Sequence, residues 1–144
     1  MSVVIRPAVA DDSAAIALLL AELGYPAPAD AIPVRLERRE GEGQHLLLAE
    51  LDGRVVGLAS LFLRHVIVDD APFARLAALV VSADSRGRGV GAALVADAER
   101  LARQGGCTIL EVTSGLHRPE AHDFYRDLGF DEKPRRFLKR LRAS

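Results

Sequence analysis

The residues best suited to chemistry lie in one stretch, Leu79-Val80-Val81, then Ser82-Ala83-Asp84-Ser85-Arg86, then Gly87-Arg88-Gly89-Val90-Gly91-Ala92. An apolar run stops, a polar loop turns, and alternating glycines open a long helical pattern. Glycine removes the Cβ atoms where N–H groups converge at a helix start, and that end carries the positive pole of the helix dipole. The chemistry this favours is the holding of a phosphate.

Two familiar phosphate sites fit poorly. Gly87 to Ala92 satisfies G-x-G-x-x-A, the dinucleotide fingerprint, but there the glycines follow the strand at once. Here Ser82 to Arg86 intervene, and too little chain remains for a second mononucleotide half. A P-loop needs Lys and then Ser or Thr after its last glycine, where this chain has Ala92-Ala93.

The elements that must position the loop follow from periodicity. Val3 to Ile5, ended by Pro7, predicts a first strand. Asp11 or Asp12 caps a helix whose Ile16, Leu19, Leu20 and Leu23 fall at i, i+3, i+4, i+7, with Gly24 as its stop. Ala27 to Gly43 reads as a connector, with a helical turn or two within Asp30 to Arg39. His45 to Glu50 and Arg54 to about Val68 predict two strands joined by a tight turn at Asp52-Gly53. Phe73 to Val81 is a strand leading into the loop.

In the helix that follows, Val90, Ala93, Leu94, Ala98 and Leu101 share one side, and Glu99 and Arg103 are spaced to pair. Gly105-Gly106 ends it, and Cys107 to Thr113 gives a parallel strand, making a βαβ crossover. Pro119 starts a short helix with Ala121, Phe124, Tyr125 and Leu128 on one side and Gly129 after its end. Phe137 to Leu141 predicts a last strand, bordered by arginines and lysine.

With these elements in place, Arg86-x-x-Gly89-x-Gly91 resembles the R/Q-x-x-G-x-G/A acyl-CoA pyrophosphate loop of the GCN5-related N-acetyltransferases. Ala121-His122-Asp123-Phe124-Tyr125-Arg126-Asp127-Leu128-Gly129-Phe130 resembles the same family's A-x-x-F-Y-x-x-x-G-F element. Two motifs in the right order are far more specific than either alone. Within the family, His45 to Gly57 and Glu111 to Tyr125 look most like the bacterial aminoalkylphosphonate N-acetyltransferases. Two departures stand out: Ala78 occupies the place of a glutamate before L-V-V, and Gly115 that of a frequent asparagine. The resemblance implies a mixed α/β fold, with a twisted, mostly antiparallel sheet of six to seven strands, a parallel βαβ crossover and flanking helices. It also implies one domain over residues 1–144.

Acetyl transfer from a thioester to an amine needs a neutral amine, stabilisation of the oxyanion, and a proton for the departing thiolate. The resemblance implies that the backbone of Leu79, Val80 and Val81 pairs with pantetheine and offers an N–H to the thioester oxygen. It assigns the pyrophosphate to the N–H groups of Arg86, Gly87, Arg88, Gly89, Val90, Gly91 and Ala92, with the charges of Arg86 and Arg88 in support. Tyr125 is the expected general acid, since a phenol of pKa ~10 stays protonated at neutral pH beside a thiol of pKa ~8.5. Glu111 and His122 are the candidate bases; each could instead satisfy a local hydrogen bond. His45, His65 and His117 lack metal-ligand spacing, so no metal is expected. Asp69 and Asp70 could attract a cationic acceptor or form a solvated turn, while Arg118, Arg135, Arg136 and Arg140 could favour an anionic acceptor such as a phosphonate or carboxylate or simply be exposed, leaving the acceptor open.

Composition bounds the alternatives. A net charge of -1 gives no general reason to expect nucleic acid, and no apolar run reaches a membrane span. One cysteine fits a reducing compartment, hence the cytoplasm, and Cys107 reads as packing. The expected function is an acetyl-CoA-dependent N-acetyltransferase acting on a primary amine of a small molecule. The alternatives are a protein N-acetyltransferase and a non-catalytic acyl-CoA or nucleotide sensor. Exposed strand edges leave room for a homodimer.

Overall fold

Val3, Val4 and Ile5 are β-branched, and with Arg6 and Pro7 they form the outer strand β1 (Val3–Pro7) of the computed structural model. The structure describes residues 2–113, 119–133 and 137–142. The chain forms two compact units, Met1–Thr113 and Ser114–Ser144.

In the first unit β1 is followed by α1 (Ser13–Leu23), α2 (Ile32–Gly41), β2 (Gln44–Leu51), β3 (Arg54–Arg64), β4 (Phe73–Val81), α3 (Val90–Gln104) and β5 (Leu110–Val112). The sheet has five strands in the order β1-β2-β3-β4-β5. The first four pair antiparallel, and β4 pairs parallel with β5, as the crossover requires. Sequence periodicity places β3 and β5 but overextends both. His65 to Val68 leave the ladder, and β5 pairs only at Leu110, Glu111 and Val112.

Two layers cover the sheet. On one face Ile16 and Leu19 of α1 and Ile32 and Leu36 of α2 pack with Leu48, Leu58 and Val80. Burying such a side chain contributes about 1.5–3 kcal/mol. The segment expected to be mostly connector is therefore a helix anchored at i and i+4. On the other face α3 lies so close to β3 that a Cβ on Gly57 would meet Val90 Cγ1 at 3.0 Å and Leu94 Cδ1 at 3.1 Å. The intrahelical pair on α3 is Asp97–Arg100 at 2.8 Å, in place of the expected Glu99–Arg103.

Asp12 stands at the N-cap of α1, yet its carboxylate makes no cap bond to that helix. It accepts instead from Arg6 Nη2 at 2.7 Å and from the Val9 N–H at 2.8 Å, while Arg6 Nε also binds Glu50. The Arg6 hydrogen bond holds the Asp12 carboxyl below its ordinary pKa. A carboxyl whose folded pKa is depressed stabilises the fold above its unfolded pKa, and that contribution disappears as pH falls through the folded value. Asp12→Asn is therefore expected to cost about 1.5 kcal/mol at pH 7. The gap from wild type should begin to narrow below about pH 4, the unfolded carboxyl pKa, and close as the pH falls through the lower folded value. Urea melts at pH 7 and at pH 3 check this.

The second unit carries α4 (Pro119–Asp127). The N–H groups of Leu128 and Phe130 both donate to the Tyr125 carbonyl, at 3.1 and 3.0 Å, and end the helix. Phe137 to Leu141 is not a strand, which corrects the expected six to seven strands to five among the described residues. A strand exists only when paired, and this segment has no ladder partner among the described residues; Phe137 and Leu141 are 98% and 93% exposed.

Candidate active site

The track begins on β4. The Ser82 N–H donates to the Val56 carbonyl at 2.8 Å, so the backbone of Ser82 faces β3. Val80 and Ala78, opposite Leu58 and Ser60 in the same unbroken register, face β3 too. Strand alternation then turns the N–H and C=O of Leu79 and Val81 toward the other edge. The partner on that edge, β5, reaches only as far as Leu76, opposite Val112. An extra residue at Ala77 separates the two halves of β4 in its pairing with β3. Leu79 to Val81 therefore present a short length of strand edge with no strand beside it among the described residues. Arg86 Nε donates to the Val81 carbonyl at 3.1 Å, where the edge meets the loop.

The loop itself is held by its own polar groups. The Ser82 hydroxyl donates to Asp84 at 2.9 Å and keeps that carboxyl below its usual range, and the Ser85 N–H closes onto the Ser82 carbonyl. Gly87 and Gly89 then have φ of 79° and 81°, left-handed values that a side chain resists. Gly89 is the N-cap of α3, and the first intrahelical bond runs from the Ala93 N–H to the Gly89 carbonyl. The N–H groups of Val90, Gly91 and Ala92 thus have no intrahelical acceptor, and no side chain caps them. A diphosphate fits this set, since it supplies several acceptors and two charges where the helix dipole is positive. Arg86 and Arg88 add charge.

The structure brings Leu79, Val80, Val81 and Arg86 to Ala92 into this single track. Val80 lies within the track but offers its edge no hydrogen-bonding group, because its N–H and C=O are turned to β3 and its side chain lies in the core. Glu111 is elsewhere on the sheet, opposite Arg75, which binds its carboxylate through Nε and Nη2 at 3.1 and 2.7 Å. In the second unit Tyr125 is half-buried, with Phe124 and Phe130 edge-to-face on its ring at 5.2 and 5.6 Å. His122 Nδ1 lies 3.6 Å from Glu132, which also pairs with Arg126 at 3.2 Å. Gly115, Arg118, Arg135 and Arg136 lie outside the described residues, as does His117.

Three contributors escape sequence reasoning. Arg75 and Glu132 are the partners of the two candidate bases, and their pairing depends on register and on a helix end. Gly57, which lets α3 approach the sheet, is isolated within a strand pattern, and that isolation is itself a signal of close backbone approach. Burial pushes the Cys107 thiol up in pKa, which suits packing better than nucleophilic attack. Among the described residues no group of His, Cys, Asp and Glu could hold a metal ion. Likewise, no described helix is long and apolar enough to cross a membrane.

The model of the acetyltransferase (GNAT) family matches residues 13–130. The aminoalkylphosphonate N-acetyltransferase of Salmonella typhimurium is 34% identical over 124 residues, covering 86% of this chain and 79% of that protein. The aminoglycoside N(6')-acetyltransferase type 1 of Stenotrophomonas maltophilia is 34% identical over 99 residues, covering 67% of this chain and 65% of its own. The solved structure of an aminoglycoside N-acetyltransferase in complex with CoA superposes with a TM-score of 0.85 at 25% identity, covering 99% of this chain and 96% of that one.

Proposed function

This chain belongs to the GNAT family of acetyltransferases, and from that premise we propose how its residues divide the work of moving an acetyl group to an amine. It is an acetyl-CoA-dependent N-acetyltransferase of small-molecule amines. The acceptor is a primary amine, attacked directly by way of a tetrahedral intermediate. The observation that carries the assignment is the continuity of the track: a strand edge at Leu79 to Val81, unpaired among the described residues, runs into the uncapped start of α3.

In this assignment pantetheine amides take the place of a neighbouring strand along Leu79 and Val81. The Leu79 N–H, turned toward that edge, donates to the thioester oxygen as it gains charge. The pyrophosphate rests on the N–H groups from Arg86 to Ala92, with Arg86 and Arg88 as counter-charges. Tyr125 gives its proton to the departing CoA thiolate; the family motif and the protonation of a phenol at neutral pH support this choice. The amine proton leaves through Glu111 or His122, by way of water. Their engagement by Arg75 and Glu132 makes this the least direct part of the scheme.

The proposal extends to one domain over the whole chain, which a family match spanning both compact units supports. It extends also to a reducing, cytoplasmic setting and to no role for nucleic acid, consistent with one cysteine and a net charge of -1. A homodimer is supported by the outer edge of β1, which no described strand covers.

The test is thiol release from acetyl-CoA across polyamines, aminoalkylphosphonates, amino acids, aminoglycosides and peptide N-termini. Acetyl-CoA should raise the melting temperature where NAD and ATP do not. Saturation at 100 times Kd adds about 2.7 kcal/mol. Gly89→Ala should raise KM for acetyl-CoA about tenfold, since a Cβ at φ 81° costs about 1–2 kcal/mol and disturbs the cap. Stabilisation by NAD alone would overturn the assignment.

A further inference from the structure

Among the described residues of the first unit, the core cluster under α1 and α2 does not reach the end of the sheet face it occupies. Leu58 and Val80 lie under the helices, but further along the same face come Ser60, Phe62 and Arg64 of β3, with Phe73 and Arg75 of β4 opposite. None of these belongs to the core cluster under the helices. Phe62 and Phe73 meet edge-to-face at 6.0 Å. The Arg64 guanidinium lies over the Phe62 ring, 4.3 Å from its centroid, and that of Arg75 is 5.8 Å from both ring centroids.

The two arginines differ in what balances them. Arg75 is neutralised by Glu111 at 2.7 Å, while Arg64 forms no ion pair among the described residues. A guanidinium resting on an aromatic face keeps its edge N–H groups free and loses little entropy on meeting an anion, because the ring already orients it. The loop after β3 carries Asp69 and Asp70, and Asp69 accepts from the Ala71 N–H at 3.0 Å within its own turn. The shelf therefore offers one open, planar donor, the Arg64 guanidinium, which no carboxylate among the described residues pairs.

Its position relative to the reaction follows from register. Ser60 stands opposite Ala78, and Phe62 is two residues further, roughly 7 Å along the strand. The shelf thus begins within reach of the Leu79 edge. We infer that Arg64, held on Phe62, binds an anionic group of the acceptor, so that the preferred substrate is a primary amine joined by several bonds to a carboxylate or phosphonate. This inference rests on the acetyl-transfer assignment above, because it places the amine by the thioester at Leu79. Arg64 is a specificity residue and takes no part in the bond-making step.

The experiment compares ω-amino phosphonates and carboxylates of two to six carbons with ω-amino alcohols of equal length. Thiol release is read for turnover, and calorimetric titration onto CoA-saturated protein for binding. Anionic acceptors are expected to exceed their neutral counterparts at least tenfold in kcat/KM, the worth of about one charge-assisted hydrogen bond. Arg64→Gln should raise acceptor KM by about that factor, collapsing the preference. Arg64→Lys should restore part of it, and KM for acetyl-CoA should not follow. Neutral or polycationic acceptors equalling the anionic ones would overturn the inference, as would a loss in Arg64→Gln shared equally by all acceptors. Should no amine be acetylated, Arg64-dependent binding of the anionic amines still decides this point, and only the acetyl-transfer assignment falls.

Discussion

Tyr125→Phe is expected to lower kcat about 100-fold, the lower range for loss of a positioned general acid, with KM for acetyl-CoA nearly intact. The ring stays, and with it the contacts to Phe124 and Phe130 at 5.2 and 5.6 Å, so the variant keeps the aromatic packing at this end of α4. What is lost is the phenolic proton. CoA would then have to leave as the free thiolate, and the deficit should shrink as pH rises past about 8.5, where a thiol ionises unaided. Thiol release measured from pH 6 to 9.5 gives both numbers. Wild-type turnover in the variant would remove the assignment.

Gly57→Val should produce the largest change reached without touching the track. A Cβ there already meets Val90 and Leu94 at 3.0 and 3.1 Å, both side chains buried, and two further methyl groups have no space. Overpacking of this kind costs about 1–3 kcal/mol. Near 2 kcal/mol it lowers the melting temperature by about 4–8 °C. Val90 is the first residue of α3, so strain relieved by lifting the helix moves the N–H groups of Val90, Gly91 and Ala92. KM for acetyl-CoA should therefore rise about tenfold while acceptor KM moves less. Calorimetry and two-substrate kinetics on one preparation separate the packing cost from the binding cost. A stable variant with normal KM would show that α3 is not held at this point.

The parts of the molecule legible in its sequence are those set by short-range pattern. Ile16, Leu19, Leu20 and Leu23 announce α1, the alternating glycines announce the start of α3, and Asp52-Gly53 announces a hairpin. Partners brought together by register are not legible. Nothing local marks Arg75 as the partner of Glu111, because that depends on the register that sets Arg75 opposite Glu111 when β5 pairs with β4. Likewise Asp12 reads as a helix cap until the cross-strand position of Arg6 beside Glu50 draws its carboxylate away. Phe137 to Leu141 shows the converse error, in that a short run with apolar residues is only half of a strand and pairing supplies the rest. The candidate site divides the same way. Its cradle is contiguous and readable, whereas the shelf at Phe62 and Arg64 needs β3 and β4 laid side by side.

The unpaired length of β4 also bears on how this protein keeps company with itself. A bare strand edge attracts any other extended chain, and proteins commonly protect such edges. Among the described residues the exposure is short: pairing with β5 bounds it at Leu76 on one side, and Arg86 on the Val81 carbonyl closes it on the other. That is long enough for the two amides of a pantetheine arm and too short to template a neighbouring strand. The fold is open to its substrate over a length at which another polypeptide gains little.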